Sequence, residues 1–127
     1  MVNCYKKGYR NEVRAIKRLE QLGYVCWRAK ITRFAKNDFF GLFDVIAVKK
    51  GSPNVWVQVK SNRIQKKTRD EIQAFADEHF SPEHNRALIM AWKDRTRWIY
   101  WTTLESMPSV KRTLSDYLYA GVKSTIQ

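Results

Sequence analysis

The chain has 127 residues, with 24 Lys plus Arg against 12 Asp plus Glu and a formal net charge of +12; that length suits one domain, 1–127, with a respectable core, and that charge makes a polyanion the default partner. Five Trp, six Tyr and six Phe exclude a disordered basic tail, which is poor in aromatics. The opening MVNCYKKGYR has no apolar run long enough for a signal peptide and no stretch could span a bilayer, so an intracellular, cytoplasmic protein with no membrane partner is expected. Cys4 and Cys26 lack the paired Cys or His spacing of a zinc site or a disulfide framework, and both are expected to be reduced.

In chain order, residues 5–22 carry Val13, Ile16, Leu19 and Leu22, with Ala15, in one stripe at helical spacing, and Gly23 supplies the stop. Residues 24–31 (YVCWRAKI) predict a strand with Tyr24, Cys26, Arg28 and Lys30 on one face and Val25, Trp27 and Ala29 on the other. Residues 32–41 (TRFAKNDFFG) form a polar and aromatic connection too irregular to assign. Two short strands follow within 43–62, around a turn at 50–54. Residues 68–80 predict a helix whose stripe is Ile72, Phe75, Ala76 and Phe80, with Thr68 as N-cap and Glu71 three residues on completing a capping box. ALIMAWK and RWIYWTT give two more strands around a Lys93-Asp94-Arg95 turn, and 109–121 is a candidate closing helix. Pro53, Pro82 and Pro108 all fall between these segments. The order α, β, β, β, α, β, β, with the candidate closing helix, predicts an α/β fold: a mixed five-stranded sheet flanked by helices.

The hairpin FDVIAVKKGSPNVWVQVKSN holds Asp44, Gln58 and Lys60 inside otherwise apolar strands. With the turn at 50–54, Lys49 faces Val55, Asp44 faces Lys60 and Ile46 faces Gln58. Asp44, Ile46 and Val48 then share a face with Trp56, Gln58 and Lys60, while Val45, Ala47, Val55, Val57 and Val59 take the other. A shift of register by two places Asp44 against Gln58 and keeps the polar groups together; an odd shift turns the valine face outward. Two readings are open for this cluster. A carboxylate, an amide oxygen and a lysine on a rigid sheet offer hard oxygen ligands for a divalent cation and a positive group for phosphodiester chemistry. The same groups could instead form a buried Asp44 to Lys60 ion pair that only sets register. Glu12 starts the series Glu12, Ala15, Ile16 and Leu19, so it points toward whatever the first helix packs on; a first-turn acid favouring the helix dipole is the simpler account of it.

Taken together, Lys7-Gly8-x-x-x-Glu12 at a helix start, Arg28 in the next strand, Asp44 after a loose loop and Gln58-x-Lys60 on the following strand resemble the PD-(D/E)xK nuclease superfamily. Within it they are most similar to the archaeal-type Holliday junction resolvases. The resemblance implies a restriction-endonuclease-like fold and roles in DNA recombination and repair. It implies that Glu12, Asp44 and Gln58 hold Mg2+, which Mn2+ may replace, that Lys60 is the catalytic lysine, positioning or activating water, and that Arg28 contacts DNA or the active site. It also implies a homodimer, for which the apolar run Trp98, Ile99, Tyr100 and Trp101 supplies a surface. Phe43 stands where the family often has proline, Gln58 where it usually has a carboxylate, and Val13 where resolvases often have arginine.

Candidate phosphate contacts fall in three groups around this site: Lys6, Lys7 and Arg10; Lys30, Arg33 and Lys36; and Arg63, Lys66, Lys67 and Arg69. Phe34, Phe39 and Phe40 are placed either to stack on unpaired bases or to pack within the loop, and His79 and His84 are read as structural or exposed. The functional expectation is a metal-dependent endonuclease for branched DNA. The alternatives are a nuclease for nicked, flapped or single-stranded DNA and a catalytically silent DNA-binding domain of the same fold.

Overall fold

A computed structural model describes residues 4–29, 38–103 and 113–118. Helix α1, Cys4–Gln21, is followed by β1 (Val25–Arg28), β2 (Val45–Val48), β3 (Asn54–Ser61), helix α2 (Lys66–His79), β4 (Asn85–Lys93), β5 (Arg97–Thr102) and the short helix α3 (Leu114–Leu118). The five strands form one sheet in the order β1-β2-β3-β4-β5. Pairing is antiparallel except between β3 and β4, which run parallel because α2 carries the chain back between them. The expected mixed five-stranded α/β sheet is the one observed.

The stop of α1 has the chemistry its glycine foretells. Gly23 adopts φ +94°, its amide donates to the Glu20 carbonyl, and the Tyr24 amide reaches back to the Leu19 carbonyl. This is a Schellman closure, completed by the packing of Tyr24 in the same core as Leu19. The turn between β4 and β5 likewise follows its sequence: Asp94 and Arg95 both take positive φ, 51° and 59°, as a tight primed turn between antiparallel strands requires.

Each face of the sheet has its own core. On one, Val45, Ala47, Val55, Val57, Leu88 and Met90 meet Ala15 and Leu19 of α1 and Leu114 and Leu118 of α3. On the other, Phe43, Ala87 and Ile89 meet Ile72 and Ala76 of α2, with Phe39, Trp56, Phe75, Phe80 and Trp101 packed around them. The valine face of the hairpin is therefore the α1 side, as the alternation predicts.

Two expectations need correction, and two are qualified. The hairpin register is shifted by two residues: Val45 pairs with Val57, Ile46 with Trp56 and Ala47 with Val55, so Asp44 falls opposite Gln58 and not Lys60. The cause lies in the turn, where the Ser52 amide bonds the Lys49 carbonyl and Gly51 takes φ +81°, so the chain reverses about Gly51, one residue before the centre of the expected 50–54 turn. Helix α2 starts at Lys66, so Thr68 lies inside it and the N-cap is Gln65, which makes no side-chain cap bond. The early start is accompanied by two i,i+4 pairs, Lys66 with Asp70 at 2.7 Å and Lys67 with Glu71 at 4.0 Å. Of the apolar run on β5, Trp98 and Tyr100 pack on the α1 side and Trp101 on the α2 side, and all four residues from Trp98 to Trp101 are half-buried. The exposed large apolar residues among those described are instead Tyr9, Val25, Trp27, Phe40 and Val48. Finally, of the strand expected over 24–31, Val25–Arg28 forms, and Lys30 and Ile31 lie outside the described residues, as does much of the closing helix expected over 109–121.

Candidate active site

The polar residues of the hairpin sit where β2 and β3 part. The β2–β3 ladder covers only 45–47 against 55–57, whereas β3 continues to Ser61 against β4. Beyond Val57 the β2-facing edge of β3 needs another partner. Asp44 supplies it: the Val59 amide donates to Asp44 Oδ2 at 2.7 Å, and the Asp44 amide donates to the Val57 carbonyl at 2.8 Å. The carboxylate thus takes over where the backbone ladder ends, which makes a buried Asp44, 2% exposed, affordable by its hydrogen bonding. Its position is fixed from both sides, by the Ala29 amide on its carbonyl and by the fully buried ring of Phe43, which packs against Trp56, Phe75 and Phe80.

Gln58 and Lys60 follow on the α2-facing side of β3, two and four residues after Trp56. With the Gln58 amide turned to satisfy both of its ends, Nε2 donates to the Leu42 carbonyl and Oε1 accepts from Lys60 Nζ at 3.3 Å. The amide oxygen and the ammonium group are therefore held together beside the Asp44 row. Both side chains are half-buried.

Glu12 arrives from α1, which crosses the other side of the sheet. It is 4% exposed, in keeping with its place on the stripe of Ala15 and Leu19. Its Oε1 accepts from Arg28 Nε at 3.1 Å, and the Arg28 guanidinium lies 4.5 Å from the centroid of the Tyr9 ring, a cation–π contact. Because Arg28 pairs with Val45 across the ladder, this ion pair adjoins Asp44 through one residue of β2. A second bond between α1 and β3 lies close by: Asn11, itself buried, donates through Nδ2 to Ser61 Oγ at 2.7 Å and accepts from Arg14 Nη1 at 2.8 Å. Arg14 in turn covers the Trp92 ring at 4.5 Å. Asn11 and Ser61 are 50 residues apart, so no local pattern announces them; they locate the middle of α1 over the end of β3.

Cys26, on the same face of β1 as Arg28, adds no nucleophile. Burial, reinforced by the charge of Glu20, raises its thiol to about 11, leaving it protonated at neutral pH.

The expected phosphate contacts divide. Arg10 and Arg63 are exposed. Lys66 and Lys67 are exposed and hold only surface partners on their own helix. Arg69 is partly buried, with its Nε lacking a hydrogen-bond partner among the described residues. Arg28 is engaged by Glu12. Lys30, Arg33 and Lys36 lie outside the described residues, as do Phe34 and the side chains of Lys6 and Lys7. Phe39 and Phe40 pack edge-on and tilted against Trp56, at 5.9 and 5.2 Å between centroids, so both pack, while Phe40 remains largely exposed.

As a cation site, the donor set is lean but chemically suitable. Among the described residues no three Asp, Glu, His or Cys side chains gather; Glu12 is engaged by Arg28, and Lys60 contacts the Gln58 amide. Mg2+ is commonly held by one or two carboxylates with water and substrate phosphate filling the remaining positions; Glu12 and Asp44 are carboxylates of that chemistry, and Gln58 offers an amide oxygen from the α2-facing side of β3.

The sheet and its helices match a solved structure described as Hjc, a Holliday junction resolvase from the archaeal hyperthermophile Archaeoglobus fulgidus, with a TM-score of 0.53, 17% identity and 87% of each chain covered. That likeness establishes a shared fold. No protein-family model and no curated protein matches the sequence.

Proposed function

We propose that this chain is an endodeoxyribonuclease that hydrolyses phosphodiester bonds in branched DNA, with the four-way junction as its leading substrate. The observation that supports the reading is the bond of the Val59 amide to Asp44 where β2 and β3 part, next to the contact of Gln58 with Lys60 on the same strand β3, with Glu12 tied from α1 to Arg28 on β1, in a fold shared with a junction resolvase. Glu12, Asp44 and Gln58 would hold Mg2+ or Mn2+, which supplies charge neutralisation at the phosphate and a lowered pKa for bound water. Lys60, presented beside the amide of Gln58, holds a positive charge toward the attacked phosphate and orients water. Arg28 keeps Glu12 fixed on the α1 side. The exposed Arg10, Arg63, Lys66 and Lys67 anchor the phosphate backbone, and Lys7, Lys30, Arg33, Lys36 and Arg69 are assigned to the same role. A two-fold dimer would present two such sites to the two strands that a junction requires to be cut; sedimentation with and without junction DNA tests that part, and a monomer in both samples rejects it.

The deciding measurement is nicking of four-way junction, flap and linear duplex DNA in Mg2+, in Mn2+ and in chelator. Asp44→Asn and Lys60→Ala are expected to abolish cleavage and to leave DNA binding nearly intact, and Gln58→Glu to preserve or raise cleavage and to lower the Mg2+ concentration needed, since a full charge replaces a dipole. Affinity should fall steeply with salt as counterions are released. Cleavage of flaps or nicks in preference to junctions selects the general nuclease. The second reading, a DNA-binding domain without catalysis, is favoured by one observation, the ion pair that engages Glu12 with Arg28; it prevails if neither wild type nor Gln58→Glu cuts any of the three substrates.

A further inference from the structure

The α2-facing side of the sheet is covered only in part. Trp27, Ile46 and Trp56 stand in one row across β1, β2 and β3, and Val25 with Val48 forms the next row outward. Phe80 stacks on Trp56, and Phe40 packs against Trp56 and Phe75. On β1 no described residue packs on the rings in a comparable way: Trp27 is 72% exposed and Val25 70%. A tryptophan held on a paired strand with its ring in the open is a costly choice for a surface position, and this one belongs to an exposed apolar strip that includes Val25, Val48 and, beyond Trp56, Phe40.

The place of that ring relative to the candidate site decides what it fits. Two residues on from Trp27 is Ala29, whose amide bonds the Asp44 carbonyl, and a two-residue step along a strand is about 7 Å. Trp27 also shares its side of the sheet with Gln58 and Lys60, which follow Trp56 on β3. The ring is thus within the span of a single nucleotide from the Asp44 row. The charge around it suits a polyanion: Lys60 lies on this side, and α2, which packs on this side, opens with Lys66 and Lys67, 79% and 85% exposed. A duplex keeps its base faces stacked and hidden, whereas an unpaired base offers a π-face that any aromatic ring can cover regardless of sequence.

We propose that Trp27 is a stacking platform for an unpaired base next to the phosphate bound at Asp44, Gln58 and Lys60, so that the edge strand β1 selects DNA with unpaired or splayed nucleotides. The assignment rests on the reading of that site as DNA-processing, and gives it a source of preference for branch points over continuous duplex. Trp27→Phe keeps a π-face, Trp27→Ala removes it, and Val25→Ser trims the apolar strip without touching the ring.

The test is binding, measured by fluorescence anisotropy in chelator, so that cleavage is not needed for a result. The ligands are a labelled single-stranded oligonucleotide, the duplex of the same sequence and a four-way junction. Trp27→Ala is expected to weaken single-strand binding on the order of tenfold, the scale of one lost base–aromatic stack, and duplex binding about twofold or less, with Trp27→Phe close to wild type and Val25→Ser without effect. Equal affinities of wild type and Trp27→Ala for the single strand overturn the proposal. So does an equal loss on all three ligands by Trp27→Ala and Val25→Ser alike, accompanied by a fall in sedimentation coefficient, which assigns the strip to contact between two copies of the chain. Wild-type protein that binds no DNA overturns this inference and the nuclease reading together; binding with the expected Trp27 pattern but without nicking in Mg2+ upholds the platform and rejects only catalysis.

Discussion

The two faces of the sheet solve the same packing problem with different side chains. On the α1 side the core is mostly aliphatic, and α1 and α3 close over Val45, Ala47, Val55 and Val57. On the α2 side it is aromatic, with Phe43, Trp56, Phe75 and Phe80 at centroid separations between 5.4 and 6.1 Å. The aliphatic face is sealed, and its polar contacts, Arg28 to Glu12 and Asn11 to Ser61, fasten a helix in place. The aromatic face runs out into solvent at β1 and Phe40, and its polar contacts, around Gln58 and Lys60, are half-open. One side of the hairpin therefore holds the scaffold still while the other remains accessible, and Asp44, in the gap between the strands, belongs to both.

Substitutions can break or sharpen this contrast, and their expected effects decrease in a definite order. Phe43→Ala removes the fully buried ring that anchors the aromatic side directly before Asp44, and urea denaturation should show a loss of about 3–5 kcal/mol; a loss below about 1 kcal/mol would mean that the aromatic face is not a packed core. Asp44→Ala leaves the Val59 amide without its acceptor and should cost about 1–3 kcal/mol. Asp44→Asn keeps an acceptor oxygen and should retain most of that stability, so the two melts together separate the structural from the chemical use of the carboxylate. Asn11→Ala frees Ser61 and Arg14 at the α1 side and should cost about 1 kcal/mol, visible as a small shift in denaturation midpoint with an unchanged slope. Lys66→Ala disrupts an exposed pair with Asp70 and should change stability by less than about 0.5 kcal/mol, while weakening DNA binding and reducing its salt dependence; an unchanged salt dependence removes Lys66 from the phosphate contacts.

Much of this arrangement is legible in the residues. Alternation assigns the valines of the hairpin to one core, helical spacing directs Glu12 inward with Ala15 and Leu19, and the run Gly23, then Asp94 and Arg95, marks two turns whose backbone needs positive φ. What is hidden depends on contacts between distant parts of the chain. The register turns on how many residues the Lys49–Ser52 closure consumes, and the role of Asp44 as a partner for the Val59 amide depends on where β2 and β3 separate. Trp27 reads as half of an ordinary alternating strand until β1 is seen to be an edge that α2 does not cover. Asn11 and Ser61 carry no local signal. The pairing of Arg28 with Glu12 joins two residues that the resemblance places at the same site but gives different tasks.

The parallel ladder between β3 and β4 has a consequence for how the molecule comes into being. Strands β1 to β3 form a meander from neighbouring segments, and β4 and β5 form a hairpin by themselves, so each half assembles from short-range contacts. The seam that joins them, Asn54 to Ser61 along Asn85 to Trp92, requires α2 to be synthesised and folded back first. Such non-local pairing is slow to form. Until it does, a nascent chain displays the long edge of β3, with Val55, Val57 and Val59 alternating along it, as a template for any other extended strand. The later-made hairpin thus acts as an internal guard for the earlier-made meander.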